Sequence, residues 1–211
     1  MTLSRKALLA AALHACAAGA ATLEVRVRDA SGAPVADAAV YAVPASGPVD
    51  AKNPRPVEIQ QVDREFVPYV TVVQTGTPVS FPNRDPIQHH VYSFSPAKQF
   101  EIKLYTGNSP EILLDRPGVV TLGCNIHDWM IGYVVVVATP HFGRTDASGA
   151  ARLRDLPAGG YEVRAYHPGQ RAAASAQPVV LESSSAATAQ FTLDAPPRKP
   201  RYKPQLDRSR Y

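Results

Sequence analysis

The sequence predicts an all-β protein. Short valine- and alanine-rich runs alternate in polarity at the two-residue period of a strand. Pro/Gly clusters separate them, with 20 prolines in 211 residues, the punctuation expected of many short strands. No apolar stretch is long enough to cross a bilayer as a helix, so the mature chain is expected to be soluble. The length leaves room for one large or two small domains with real cores.

Residues 1–20 read as an export signal rather than structure. Arg5 and Lys6 form a basic start, residues 7–18 an apolar segment, and Ala18-Gly19-Ala20 a small-residue cleavage site. A rival route is lipoprotein processing at Cys16, after Leu13-His14-Ala15. Export points to the periplasm. With cleavage after Ala20, Cys124 is the sole thiol left, which rules out a disulfide within the mature chain. A lone thiol in an oxidising compartment is expected to be buried or held by a metal.

From Thr22 the chain places Leu23, Val25 and Val27 on one face and Glu24, Arg26 and Arg28 on the other, a half-buried strand. The turn Asp29-Ala30-Ser31-Gly32 closes it, and a second strand covers 38–43. Two strands alone are not a stable unit, so this pair must dock on later ones. Residues 44–56, rich in Pro, Gly and Asn, read as a linker. Seven candidate strands follow, at 57–61, 69–73, 78–81, 89–94, 100–104, 118–122 and 131–138. That spacing predicts an antiparallel sandwich or barrel. The stretch 133–137 is apolar on both faces, as in a central strand.

The chemistry concentrates in Cys124-Asn125-Ile126-His127-Asp128-Trp129-Met130. A thiolate, an imidazole and a thioether occupy every third position of one loop. Soft sulfur beside imidazole selects copper, and a trigonal His₂Cys set with a long Met bond describes a blue-copper electron-transfer site. One more histidine is required, and His89-His90 offers it. Taken singly, each residue has a plainer reading: a buried small hydrophobe for Cys124, a core filler for Met130, a hydrogen-bonded strand residue for either histidine. Successive strand residues face opposite sides, so His89 and His90 cannot both point at one metal.

The segment Val79-Ser80-Phe81-Pro82-Asn83, with His89-His90-Val91 beyond it, resembles the first ligand strand of the cupredoxins. The loop Cys124-x-x-His127-x-x-Met130 is similar to the short ligand loop of amicyanin. The resemblance covers roughly 57–138. It implies a Greek-key sandwich over 57–139 and one type 1 copper ion held by His89, Cys124, His127 and Met130. It also selects His89 over His90. Asn83, His90 and Asp128 are then supporting residues or alternative ligands. His90 stands where these families usually have an Asn tying the two ligand loops together, and it is expected to do the same or to ligate instead. Asp128 replaces a proline of amicyanin, and a carboxylate there is expected to favour the protonated form of His127. Ile126 and Trp129 flank the exposed imidazole edge as a docking patch.

Beyond Pro140, Asp146-Ala147-Ser148-Gly149 echoes the turn at Asp29, and Tyr161 to Tyr166 alternates as a strand. Together with residues 29–40, this part resembles the carboxypeptidase regulatory-like (transthyretin-like) sandwich. The expected organisation is one such sandwich built from 22–54 and 140–194, with the copper domain inserted between its halves. The alternative is a tandem order in which strands 22–43 belong to the copper domain. His141 and His167 read as loop residues.

The tail 195–211 carries six Lys/Arg against one Asp, so its net +5 exceeds the +4 of the whole chain. The basic pI therefore reports a tail, and no nucleic-acid-binding surface is implied. Such a segment is expected to be disordered, with an acidic partner or a membrane surface as candidate contacts. The resemblance implies a periplasmic electron carrier of the methylamine-utilization or plastocyanin-like type, not an enzyme. Its transient protein partner would be of dehydrogenase or cytochrome type. Copper storage, delivery or sensing without electron transfer is the alternative.

Overall fold

A computed structural model describes residues 19–171 and 173–195. Cys16, nearly all of the expected export signal, and all of the basic tail beyond Ala195 lie outside the described residues.

Among those residues the chain is all β, without a helix. The strands begin with β1 (Ala21–Asp29), β2 (Ala39–Pro44), β3 (Val57–Glu58), β4 (Gln60–Val62), β5 (Glu65–Val67) and β6 (Val70–Gln74). They continue with β7 (Thr77–Ser80), β8 (His89–Ser95), β9 (Lys98–Tyr105), β10 (Ile112–Leu114), β11 (Gly118–Gly123) and β12 (Ile131–Val137). The last are β13 (Phe142–Arg144), β14 (Ala150–Leu156), β15 (Gly159–Tyr166), β16 (Ser175–Leu181) and β17 (Ala186–Leu193).

The middle of the chain forms a five-stranded sheet in the order β6-β12-β11-β8-β9 and a three-stranded sheet β10-β7-β3. Phe66, Phe81, Val91, Leu122 and Val134 are all buried in the cluster that joins them. The flanking strands form a second pair of sheets, β14-β1-β17 and β13-β2-β15-β16. There Leu23, Val25, Val27, Leu153 and Val163 make a separate core. The alternation read at β1 is realised: Leu23, Val25 and Val27 are fully buried while Arg26 and Arg28 face water.

Strand β12 explains its own double apolarity. Val134 and Val136 point into the middle core. Val135 and Val137 pack the other way, against Ala39 and Val70 with Tyr41, Phe142 and Tyr166 alongside. This third cluster joins the two pairs of sheets. The two echoing turns share one geometry. Oδ1 of Asp29 accepts the N–H groups of Ser31 and Ala33 at 2.8 and 2.9 Å. Oδ1 of Asp146 accepts those of Ser148 and Ala150 at 2.8 and 3.2 Å.

The antiparallel expectation needs correction. β12 pairs β6, β3 pairs β7, and β1 pairs β17, all in parallel. Parallel neighbours require a long crossover, and the whole of β7 to β11 lies between β6 and β12. Between residues 57 and 139, two strands were also absent from the expected set, β5 and β10. The run at 57–61 breaks where Ile59 turns inward to 1 % exposure.

Candidate metal centre

The loop 124–130 links two strands that pair tightly, with Gly123 opposite Ile131. Its ends are anchored by burial, Cys124 at 3 % and Met130 at 1 % exposure, both in the middle core. The Met130 N–H donates to the His127 carbonyl at 2.8 Å, which closes the loop into a tight turn. Asn125, Ile126 and Asp128 consequently face water, and His127 and Trp129 are half-buried. Gly123 lies close to the ring of Tyr92: a Cβ there would stand 2.6 Å from it, so the ring would have to shift.

His89 enters from the first position of β8, fully buried. Its Nδ1 lies 3.9 Å from the Sγ of Cys124, and the Nδ1 of His127 lies 3.7 Å from the same sulfur. All three donor atoms fall within 4.8 Å of one another. Donors bonded at roughly 2.0–2.3 Å to one ion, at trigonal to tetrahedral angles, sit roughly 3.4–3.8 Å apart. The donor set thus fits a single transition-metal ion, and its one thiolate with two imidazoles is the chemistry copper prefers.

The register of β8 on β9 shifts between His89 and Val91. The His90 ring is directed elsewhere, its Nε2 2.9 Å from Oε1 of Glu101 on β9 and its centroid 5.7 Å from that of Tyr92. The expected side-chain tie from His90 to the cysteine loop is therefore not made. The backbone makes it instead, because the His90 and Ile126 N–H groups both reach the Cys124 sulfur.

Cys124 and His89 each favour the charged form of the other. Burial alone would raise the Cys124 pKa, but His89 and the two N–H donors outweigh it and hold the thiol below its ordinary value. Burial likewise works to lower the His89 pKa, and the Cys124 sulfur and the Asp85 carboxylate hold it above the usual histidine range. His127 is shifted the other way. Burial, His89 and Arg64 lower its pKa, and Asp85 is the carboxylate that opposes them. The expected stabilisation of protonated His127 by Asp128 is thus corrected, since Asp128 points to water and makes no contribution.

Asp85 escaped the sequence reading. Its Oδ2 lies 2.7 Å from Nε2 of His89. Its carboxylate also accepts the N–H of Asp63 at 2.7 Å and of Arg64 at 2.9 Å. The one local hint was Asn83-x-Asp85, an Asx pattern: Oδ1 of Asn83 accepts the Asp85 N–H at 2.9 Å. Asn83 also donates to the carbonyls of Ile87 and Tyr105 at 2.8 and 3.0 Å, so it braces the loop before His89 without touching the ring. Behind it, Tyr105 is hydrogen-bonded to Gln61 and to the Phe81 carbonyl, and burial pushes its hydroxyl up to about 12. At the surface, the Trp129 ring lies edge-on to His127 at 5.3 Å, and Ile126 is 48 % exposed.

No family model and no curated protein matches the chain. Among solved structures it is similar to cupredoxins over less than half its length. A copper-containing nitrite reductase from Thermus scotoductus SA-01 is 26% identical over 43% of this chain, with a TM-score of 0.37. The chain spans only 25% of that protein. A purple cupredoxin from Nitrosopumilus maritimus is 22% identical, covering 37% of this chain and 95% of its own, with a TM-score of 0.33. An oxidised amicyanin variant is 16% identical, covering 47% and 98% respectively, with a TM-score of 0.36.

Proposed function

We propose that this chain is a type 1 (blue) copper protein that passes single electrons between partners in the periplasm. The observation that supports it is the convergence of one buried cysteine sulfur and two histidine Nδ1 atoms, at 3.9 and 3.7 Å from that sulfur. His89, Cys124 and His127 would hold the ion. Met130, buried at the end of the same loop, would offer a thioether as a fourth, weaker donor. Bound copper would supply a one-electron couple.

The protein's part is to hold its donors still. His89 and two backbone N–H groups favour the thiolate form of Cys124, the form in which it would bind the ion. Its burial among valines and leucines excludes water from the sulfur. His127 supplies the edge nearest solvent, and Ile126 and Trp129 beside it offer the small apolar patch on which a dehydrogenase or cytochrome could dock transiently. Four side chains around one ion leave no position for a substrate, which favours a carrier over an enzyme. In this reading the copper unit is an insertion in the sandwich formed by β1, β2 and β13 to β17.

The test is an optical and EPR spectrum of the copper-loaded protein. An intense visible thiolate-to-copper band with a narrow copper hyperfine splitting is expected. A weak visible spectrum with a wide splitting would show an ordinary type 2 site and end the electron-carrier reading.

A further inference from the structure

We infer that Asp85 is the positioning residue of this site: it fixes the His89 ring with Nε2 protonated and Nδ1 free toward Cys124. The inference rests on the metal-site reading above, and it adds a carboxylate–histidine pair to it.

The geometry is specific. The side chain of Asp85 is only 10% exposed, and that of His89 is fully buried. Oδ2 of Asp85 lies 2.7 Å from Nε2 of His89, on the ring edge opposite the nitrogen that faces Cys124. An ionised carboxylate can only accept hydrogen bonds, so the shared proton belongs to Nε2. In a neutral ring that leaves the Nδ1 lone pair for the metal. Metal-bound histidines commonly have their second nitrogen held in this way, which sets the tautomer and raises the basicity of the ligating one.

Asp85 is itself held by the tip of another hairpin. Asp63 and Arg64 join β4 to β5 with both residues at positive φ, 53° and 60°. This is the two-residue turn that normally selects Asn-Gly. Asp is tolerated at the first of these positions, but Arg is unsuited to the second. Both turn N–H groups donate to the Asp85 carboxylate, so the turn that orders Asp85 is in turn ordered by it. The Asn83 side chain caps the Asp85 amide from the other side. With its three contacts satisfied, the carboxylate cannot rotate away from His89 without breaking a bond to an N–H group or leaving the buried ring nitrogen unpartnered. The hairpin, the carboxylate and the imidazole therefore form one rigid brace behind the metal-facing nitrogen.

Loss of the brace would weaken His89 as a donor. Cu(II) depends on that donation more than Cu(I), so the reduction potential would rise.

The experiment uses the full chain with Asp63→Asn and Arg64→Gly, which lets the hairpin stand without Asp85. Asp85→Asn and Asp85→Leu are then added to that background. Zn(II) and Cu(II) affinities are measured for each protein, with long-range proton–nitrogen NMR of the His89 ring in the diamagnetic Zn(II) form. Asp85→Leu should lower both affinities 10–100-fold, abolish the slowly exchanging Nε2–H signal and raise the copper potential. Asp85→Asn keeps an acceptor oxygen and should fall between. Unchanged affinities with the Nε2–H signal retained in Asp85→Leu would overturn the role of Asp85 while leaving the copper site intact. A background protein that binds Zn(II) but gives no thiolate-to-Cu(II) band defeats the electron-carrier reading instead. The zinc series then decides Asp85 by itself. A protein that binds neither ion overturns both.

Discussion

Nδ1 of His89 lies 3.9 Å from Sγ of Cys124, across 35 positions of sequence. The thiol is drawn below its ordinary pKa, against its own burial, chiefly by this imidazole and by the N–H groups of His90 and Ile126. Replacing sulfur by oxygen removes the soft anion and the donor that copper prefers. Cys124→Ser should therefore abolish the visible band of the copper-loaded protein and weaken copper binding at least tenfold. Absorption spectra and competition with a chelator check this. A retained blue band would place the sulfur outside the site.

Met130 should behave differently. It is 1 % exposed and packed in the same core as Cys124. Met130→Leu nearly conserves volume, so the fold should lose less than about 1.5 kcal/mol. The thiolate and both imidazoles remain, and the colour with them. Removing a weak donor that favours Cu(II) should raise the reduction potential, readable by voltammetry of wild type and variant side by side. An unchanged potential would show that the thioether does not bond to the metal.

Gly132 tests the packing behind the loop. A Cβ at this position would stand 2.8 Å from the Cβ of Phe66, which is itself 2% exposed and cannot swing aside. The clash involves the root of the side chain, so a change of rotamer does not relieve it. Gly132→Ala should cost about 1–3 kcal/mol by overpacking, read as a lower denaturation midpoint with an unchanged m-value. The β5 and β12 strands would be pushed apart, and β12 follows directly on the 124–130 loop, so copper affinity should fall with stability. Stability equal to wild type would mean the two strands separate at no cost.

What the sequence discloses about this molecule is mostly local. Alternation at Leu23, Val25 and Val27 is a property of consecutive residues, and so are the twin turns at Asp29 and Asp146. The order of sulfur and imidazole in the 124–130 loop can likewise be read directly. Asp85 cannot, because its meaning comes from N–H groups 21 and 22 positions upstream. Those belong to a turn, Asp63-Arg64, whose Arg64 does not advertise positive φ. Strand β5 was hidden for the same reason. The parallel pairing of β6 with β12 is invisible locally, since each strand reads alike in either direction. The double apolarity of β12 was legible but its cause was not, for one face serves the middle core and the other the contact with β2 and β13.

Buried histidines remote from the site give the last prediction, a loss of stability in mild acid. His167 is 4 % exposed, and its Nδ1 accepts the N–H of Gly169 at 3.0 Å, a bond that protonation would break. Burial lowers its pKa, and Asp37 only partly opposes this. His141 is lowered by burial in the same way, with Asp155 opposing, and so is His127 in the metal-free protein. For each, the unfolded chain binds the proton more readily than the folded one. Their contribution is complete above the unfolded value of 6.5 and is lost as pH falls from there through the folded value. Each group can add a slope of at most about 1.4 kcal/mol per pH unit. Carboxylates whose pKa is lowered, such as Asp85, act only below their ordinary 3.8, and the Cys124 thiol, lowered from 9.0, acts with the same sign as pH falls from there. His89, raised above 6.5, works in the opposite direction and loses its contribution as pH rises through its folded value. Denaturant unfolding of the metal-free protein between pH 7 and 5 should therefore show stability falling with pH, and His167→Asn should flatten the slope. Asn keeps an acceptor oxygen for Gly169 but takes up no proton, so an unchanged slope would clear His167 of any part in the acid response.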